Sequence, residues 1–331
     1  MARRFYINSN GRIRRKENTL YFEREIDGEI EKKALPINDI DSIYIFGEIN
    51  INTKALNFLA QNDIPLHIFN YYGYYSGSFL PRKKNVSGSL IVEQVKHHID
   101  NQKRQYLAIS FIEGAVYHIL RNLRKNGINK DDYQDIEKEL FPKIFKTKTP
   151  EELMAIEGNI RDKYYQLFNK IIENENFYIE KRDKRPPSNP INALISFGNT
   201  LMYNTVLTEI YRTQLEPTIS YLHSPQEKRF SLSLDLAEIF KPFIVDPIIF
   251  SLINNQVISL NDFDTDLNYA YLNEEGRKKF LKAYEEKLAK TIKHRKLKRK
   301  VSYKQLIRLE CYKLIKHFIE DEDYKPFKAW W

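Results

Sequence analysis

Asp235 and Glu238 stand three residues apart in Ser231-Leu232-Ser233-Leu234-Asp235-Leu236-Ala237-Glu238-Ile239-Phe240-Lys241-Pro242, a spacing that puts both carboxylates on one helix face. Their neighbours are leucine, isoleucine and phenylalanine, with no basic residue at matching spacing, so the pair reads as a site for Mg²⁺ or Mn²⁺. His223, in Ser220-Tyr221-Leu222-His223-Ser224-Pro225, lies just upstream, after a helix and before a turn, and can add an imidazole. A further acid, Glu157, belongs to a helix opened by Thr149-Pro150-Glu151-Glu152: a threonine cap, proline at the first helical position and glutamate three after the cap. On that helix Leu153, Ile156, Ile160, Tyr164, Leu167, Phe168 and Ile171 share one arc, and Glu157 falls inside it. A desolvated carboxylate costs several kcal/mol unless it has a cation, a metal or a proton. At this level the plain alternatives stay open: a glutamate paired with arginine or lysine, a solvated acid pair and a loop histidine without a role.

Other chemistries lack their signatures. His67 and the pair His97-His98 have no acidic or cysteine companions at metal spacing, and no Walker loop, dinucleotide fingerprint, Gly-x-Ser-x-Gly or His-Glu-x-x-His occurs. The single cysteine, Cys311, lies in an apolar helical pattern and reads as a small buried thiol. One cysteine excludes an internal disulfide or a cysteine zinc cluster and suggests a reducing cytoplasm. No signal-peptide-like run follows the N-terminus, and no apolar stretch reaches membrane-spanning length, so a cytoplasmic protein without a membrane partner is expected.

The elements that must position these residues fall into two sets. With 331 residues, 42% hydrophobic and 29% charged, the chain is expected to form two domains. Short β-rich runs recur through the first eighty or so residues, at Phe5-Tyr6-Ile7, Thr19-Leu20-Tyr21-Phe22, Ser42-Ile43-Tyr44-Ile45-Phe46 and Leu66-His67-Ile68-Phe69. One helix interrupts them, residues 54–61, capped by Thr53. Residues 81–89 mix charge with turn formers and read as the linker. Beyond it the period is helical, over residues 93–126, 150–174, 189–215, 232–252, 274–292 and 303–320. The expected architecture is α+β, with a β-rich domain over residues 1–85 and a larger all-α domain over residues 86–331.

The formal charge of +9 is local in origin. Between residues 277 and 304 thirteen lysines and arginines face Glu285 and Glu286, a segment charge of +11 that leaves −2 for the rest of the chain. This segment, Lys293, Arg295, Lys296, Lys298, Arg299 and Lys300 above all, is either a solvated helix end or a surface that tracks phosphates. Arg182, Lys184 and Arg185 form a second, smaller patch.

Taken in order along the chain, these segments resemble one family. The run Ile37-Asn38-Asp39-Ile40-Asp41-Ser42-Ile43-Tyr44-Ile45-Phe46-Gly47, then Asn52-Thr53-Lys54-Ala55-Leu56 and Ile64-Pro65-Leu66-His67-Ile68-Phe69, precede Glu157-Gly158 with Tyr164-Tyr165 and Pro190-Ile191-Asn192-Ala193-Leu194. The Leu222-His223-Ser224 loop, the helix Asp235-Leu236-x-Glu238-x-Phe240-x-Pro242 and Glu275-Gly276-Arg277-Lys278 complete the series. The chain resembles the CRISPR adaptation integrases, the "Cas-one" endonucleases, over essentially its whole length.

That resemblance implies a β-rich domain for dimerisation and partner contacts, joined to a helical catalytic domain. It implies Glu157, His223 and Glu238 as ligands of Mg²⁺ or Mn²⁺, with Asp235 as a supporting acid. It also implies a DNA endonuclease and integrase that joins the 3′-hydroxyl ends of captured duplex fragments to a CRISPR repeat, acting as a homodimer with the small "Cas-two" protein. Ile239 stands where the family often has a second acid, Lys241 where it has arginine, and Glu216 where Leu-Asp-Pro is more usual. Lysine lacks arginine's bidentate fork, so a phosphate contact at Lys241 would differ from the family's. The runner-up function is a DNA-binding scaffold subunit with the same fold and no catalysis.

Overall fold

The computed structural model describes residues 3–183, 187–225, 230–266 and 269–331. The chain folds as two compact units, Met1–Lys84 and Asn85–Trp331. The first unit contains two four-stranded sheets. One has the order β1 (Arg3–Ile7), β5 (Ile40–Ile45), β7 (Leu66–Phe69), β8 (Tyr75–Phe79), with the first three strands parallel and β8 antiparallel. In the other, β4 (Glu29–Pro36), β3 (Thr19–Ile26) and β2 (Gly11–Lys16) form an antiparallel meander, and β6 (Ile49–Ile51) pairs parallel to β2. Alternation sends Ile13, Leu20, Leu35, Ile43 and Leu66 into one core, where Ala55 and Leu59 of helix α1 (Thr53–Gln61) join them. The cap of α1 is Asn52, whose side chain accepts from Ala55 N, and not Thr53 as the sequence suggests.

The second unit is helical. The long pattern over residues 93–126 is two helices, α2 (Gly88–Ile99) and α3 (Asn101–Lys125), because the Asp100 side chain accepts from Gln102 N and Lys103 N and restarts the chain. Short α4 (Lys130–Asp135) and α5 (Phe141–Ile144) lead to α6 (Pro150–Gln166), opened by the predicted Thr149 cap. Asn189 caps α7 (Pro190–Tyr211). The pattern over residues 232–252 divides into α8 (Ser231–Phe240), a π turn (Lys241–Val245) and α9 (Asp246–Asn254). Pro242 has no amide hydrogen for the Glu238 carbonyl, which breaks the regular ladder at the residues of interest.

α10 (Glu274–Ala289) and α11 (Tyr303–Phe318) complete the helices. Two hairpins are additions to the expected all-α domain: β9 (Phe263–Asp266) with β10 (Tyr269–Leu272), and β11 (Thr291–Lys293) with β12 (Lys300–Ser302). Their strands are three or four residues long, below the length at which alternation is legible. No helix among the described residues is long and apolar enough to cross a membrane.

α8 is buried on nearly every side, with Leu232, Leu236, Ala237, Ile239 and Phe240 packed between α3 and α7. Gly198 of α7 permits the approach of the π turn, since a Cβ there would stand 2.5 Å from Val245 Cγ1. Behind α8 runs the C-terminal segment. Buried Glu310 accepts from Tyr324 Oη (2.6 Å) and Phe327 N (2.9 Å), and Ala329 N donates to His118 Nε2 (3.2 Å). Burial, with the Arg121 charge, pushes His118 down to about 3, which suits an imidazole nitrogen that must accept. Trp331 Nε1 donates to Tyr303 Oη (3.2 Å), so the tryptophan tail is docked on its own chain.

Candidate functional site

The loop before α8 is built around Asp235. Its carboxylate accepts from the amides of Tyr221 (2.6 Å), Leu222 (3.0 Å) and His223 (3.0 Å), and contacts His223 Nδ1 at 2.8 Å. The loop is also held from outside: Arg104 Nε donates to the Tyr221 carbonyl, Tyr221 Oη to the Gln94 carbonyl, and His98 Nδ1 lies 2.6 Å from the Ser220 carbonyl. His98, with no companion in sequence, is thus a positioning side chain. Burial disfavours the imidazolium of His223, but the Asp235 carboxylate outweighs it and raises the group above its ordinary value. With Nδ1 committed to Asp235, Nε2 is the ring nitrogen that could ligate, since a carboxylate behind the imidazole is the arrangement that orients metal-binding histidines.

Glu238 points elsewhere, so the two acids of α8 share a face without sharing a partner. Its Oε1 accepts from Lys241 Nζ (2.5 Å) and its Oε2 from Arg161 Nη2 (2.7 Å). Arg161 also donates through Nε to Glu157 Oε1 (2.9 Å), one turn earlier on α6. Burial opposes ionisation of Glu238, yet Lys241 and Arg161 hold its carboxyl well below the usual range. Asp246, at the start of α9, is fully buried and pushed up by that burial to about 6. Its Oδ2 has no hydrogen-bond partner among the described residues.

These contacts revise the sequence reading at three points. Glu157 is half-buried, at the margin of the apolar arc, and has Arg161 as counter-ion. A basic residue does stand at matching spacing from Glu238, namely Lys241. Lys241 is buried against Glu238, with its Nζ 4.7 Å from the Tyr203 ring centroid, so it is a counter-charge and not a phosphate contact on the surface. Arg161 and Lys241 were both legible as i+4 and i+3 partners of glutamates. Asp246 carried no signal beyond its type.

The donor set, two carboxylates and an imidazole, suits Mg²⁺ or Mn²⁺. His223 is oriented for ligation, and Glu157 Oε2 makes no hydrogen bond among the described residues. No three His, Cys, Asp or Glu side chains among the described residues converge closely enough to hold an ion as they stand. The donors therefore fit a divalent cation in kind, with Arg161 standing between two of them.

The expected DNA-contacting residues separate in the same way. Arg182 is tied to α7 through Asn192 Oδ1 and Ser196 Oγ, both at 3.0 Å, so its guanidinium serves the fold. Lys184 and Arg185 lie outside the described residues. Within the basic segment, Arg277 is buried on the Leu272 carbonyl, Lys278 pairs with Glu274 and Glu275, and Lys279 pairs with Asp262. The hairpin β11–β12 is different: Lys293, Arg295, Lys296, Lys298, Arg299 and Lys300 are all exposed. Lys296 reaches Glu322 (3.2 Å) and Arg295 faces the Trp330 ring. Lys293, Lys298, Arg299 and Lys300 form no ion pair among the described residues, and Lys293 and Lys300 stand opposite one another across the strands.

The family described as CRISPR associated protein Cas1 matches residues 5–286. The chain belongs to the Cas1 family. It is 59% identical to the CRISPR-associated endonuclease Cas1 3 of Thermodesulfovibrio yellowstonii, over 99% of this chain and all of that protein. The CRISPR-associated endonuclease Cas1 of Clostridium perfringens is 57% identical over the full length of both. A solved CAS1 protein from Thermotoga maritima superposes with a TM-score of 0.89 at 39% identity, covering 97% of this chain and 98% of that one. A casposase bound to integration product shares the fold at 22% identity (TM-score 0.88, covering 99% of this chain and 94% of that one). So does a chain of a Cas6-RT-Cas1–Cas2 complex at 18% identity (TM-score 0.84, covering 99% and 36%). The Cas1-family match stops before β11, so the basic hairpin lies outside it.

Proposed function

We propose that this Cas1-family chain is a divalent-metal-dependent DNA endonuclease and integrase of CRISPR spacer acquisition. The observation that supports the reading is His223, locked by Asp235 and near enough to Glu238 for that charge to favour its imidazolium, with Glu238 joined through Arg161 to the half-buried Glu157. In strand transfer the 3′-hydroxyl of a captured fragment attacks a phosphorus of the repeat. One P–O bond forms as another breaks, and the departing 3′-oxygen takes up a proton. Phosphodiester number is conserved, so no external energy source is needed; water as nucleophile gives cleavage instead. Bound Mg²⁺ or Mn²⁺ supplies Lewis-acid stabilisation of the charge on the phosphate oxygens. Asp235 fixes the ring plane of His223, Glu157 and Glu238 supply the anionic oxygens, and Lys241 keeps Glu238 ionised within an apolar core.

The partners proposed are duplex DNA, a second copy of this chain and a Cas2 protein, with the β-rich unit making the protein contacts. The deciding experiment is cleavage and strand transfer on branched DNA with Mn²⁺, with and without EDTA and a Cas2 partner. Products that vanish with EDTA are expected. No product under any condition would favour a DNA-binding scaffold.

The hairpin β11–β12 is proposed as a phosphate-tracking surface. Replacing Lys293, Lys298, Arg299 and Lys300 by serine should weaken duplex binding and flatten its salt dependence by about 0.9 in log–log slope for each phosphate no longer neutralised. The melting temperature should stay unchanged, because these side chains touch no core. An unaltered slope would remove the hairpin from the DNA surface.

A further inference from the structure

Among the described residues, Arg161 is the side chain that joins the two glutamates. Nε donates to Glu157 Oε1 on its own helix, and Nη2 donates to Glu238 Oε2 on α8. Both helices pack on α3, and the guanidinium spans from Glu157 on α6 to Glu238 on α8. Lys241, in contrast, pairs with Glu238 and with no other acid among the described residues, and lies beside the Tyr203 ring. Two carboxylates and two cations thus form a set, with the buried Asp246 carboxyl close enough to Arg161 and Lys241 to feel both charges. A divalent ion placed among them meets Arg161 at close range in a poorly screened setting. The two ends of the clamp differ: the Glu157 side chain is 23% exposed and that of Glu238 8%, so the guanidinium's way out is past Glu157.

We propose that Arg161 is a competitive counter-cation, holding the position between Glu157 and Glu238 that a divalent ion must take to reach both, so that loading the site exchanges guanidinium for metal. This rests on the ligand reading above. Arg161 is a positioning residue: it keeps two carboxylates from separate helices ionised and close together, and it sets how much metal is needed to displace it. An ion pair that merely braced α6 against α8 would leave metal affinity unchanged.

The test is calorimetric titration of the full chain with Mn²⁺, with thermal denaturation in its presence and absence, on wild type, Arg161→Gln, Arg161→Lys and Glu157→Gln. Arg161→Gln should melt lower than wild type without Mn²⁺, show a larger Mn²⁺-induced rise, and bind Mn²⁺ roughly tenfold more tightly, as removal of one partly screened charge requires. Arg161→Lys keeps the charge but cannot fork across both acids, and should fall between; it carries the test should the glutamine variant fail to fold. Glu157→Gln should weaken binding. Arg161 variants with wild-type or weaker Mn²⁺ affinity overturn the exchange while leaving the ligand set intact. Wild type and Glu157→Gln that titrate alike overturn the ligand set, and the exchange with it.

Discussion

His223→Ala is expected to lower branched-DNA cleavage and strand transfer by roughly 10³-fold, since on the proposed ligand role its loss forfeits several kcal/mol of charge stabilisation at the phosphate. The fold should survive the change. The His223 side chain is a quarter exposed, and Asp235 keeps the amides of Tyr221, Leu222 and His223 when the ring is gone. Asp235→Asn should behave differently, because the carboxamide replaces one accepting oxygen with a donor. At least one of the contacts to Tyr221 N, Leu222 N, His223 N and His223 Nδ1 then faces a like group. The expected loss is roughly 10–100-fold, the usual effect of disturbing a group behind a ligand. It should come with faster proteolysis in the His223 loop, which His223→Ala does not show. Activity of His223→Ala near that of wild type would remove His223 from the site.

The contrast between those two variants marks what the sequence made legible. Residue types and spacing made Glu157, His223, Asp235 and Glu238 candidates with plain alternatives still open, and only the resemblance to the family implied them as one site. Spacing alone did not show that Asp235 and Glu238, neighbours on one helix, serve different structures. That depends on the π turn at Pro242 and on a loop anchored by α2, contacts made across more than a hundred residues of sequence. The breaks at Asp100 and Pro242 were missed for a related reason: apolar periodicity persists through a break when both flanking helices face the same core. The basic excess was correctly localised to residues 277–304, but its division into spent charges on α10 and open ones on β11–β12 rests on tertiary partners such as Asp262 and Glu274. The tail was opaque altogether, since aromatic residues after a helix say nothing about which surface receives them.

That surface is what Phe327→Ala would expose. The Phe327 ring is buried and stacks on Phe240 at 5.7 Å between centroids, with Phe243 at 5.1 Å and His118 at 5.2 Å. Truncating a ring so enclosed costs about 3–5 kcal/mol through forfeited transfer energy and the cavity left behind. For a unit of this size that is a fall of about 10 °C in melting temperature. Lys325→Ala, on the same segment but exposed, should lie within about 0.5 kcal/mol of wild type. The effect should also reach the site, because Phe240 and Phe243 flank Lys241 at the join of α8 and the π turn. Pro326 and Ile239 both come close to Gly114 of α3, where a Cβ would meet Pro326 Cβ at 3.0 Å and Ile239 at 3.3 Å. The tail thus backs the helix that carries Glu238, and loosening it lets Glu238 drift from Arg161. Well below its melting temperature, Phe327→Ala should therefore lose cleavage activity that Lys325→Ala keeps. Equal stability and equal activity for the two variants would mean that the segment does not pack beneath α8 in solution.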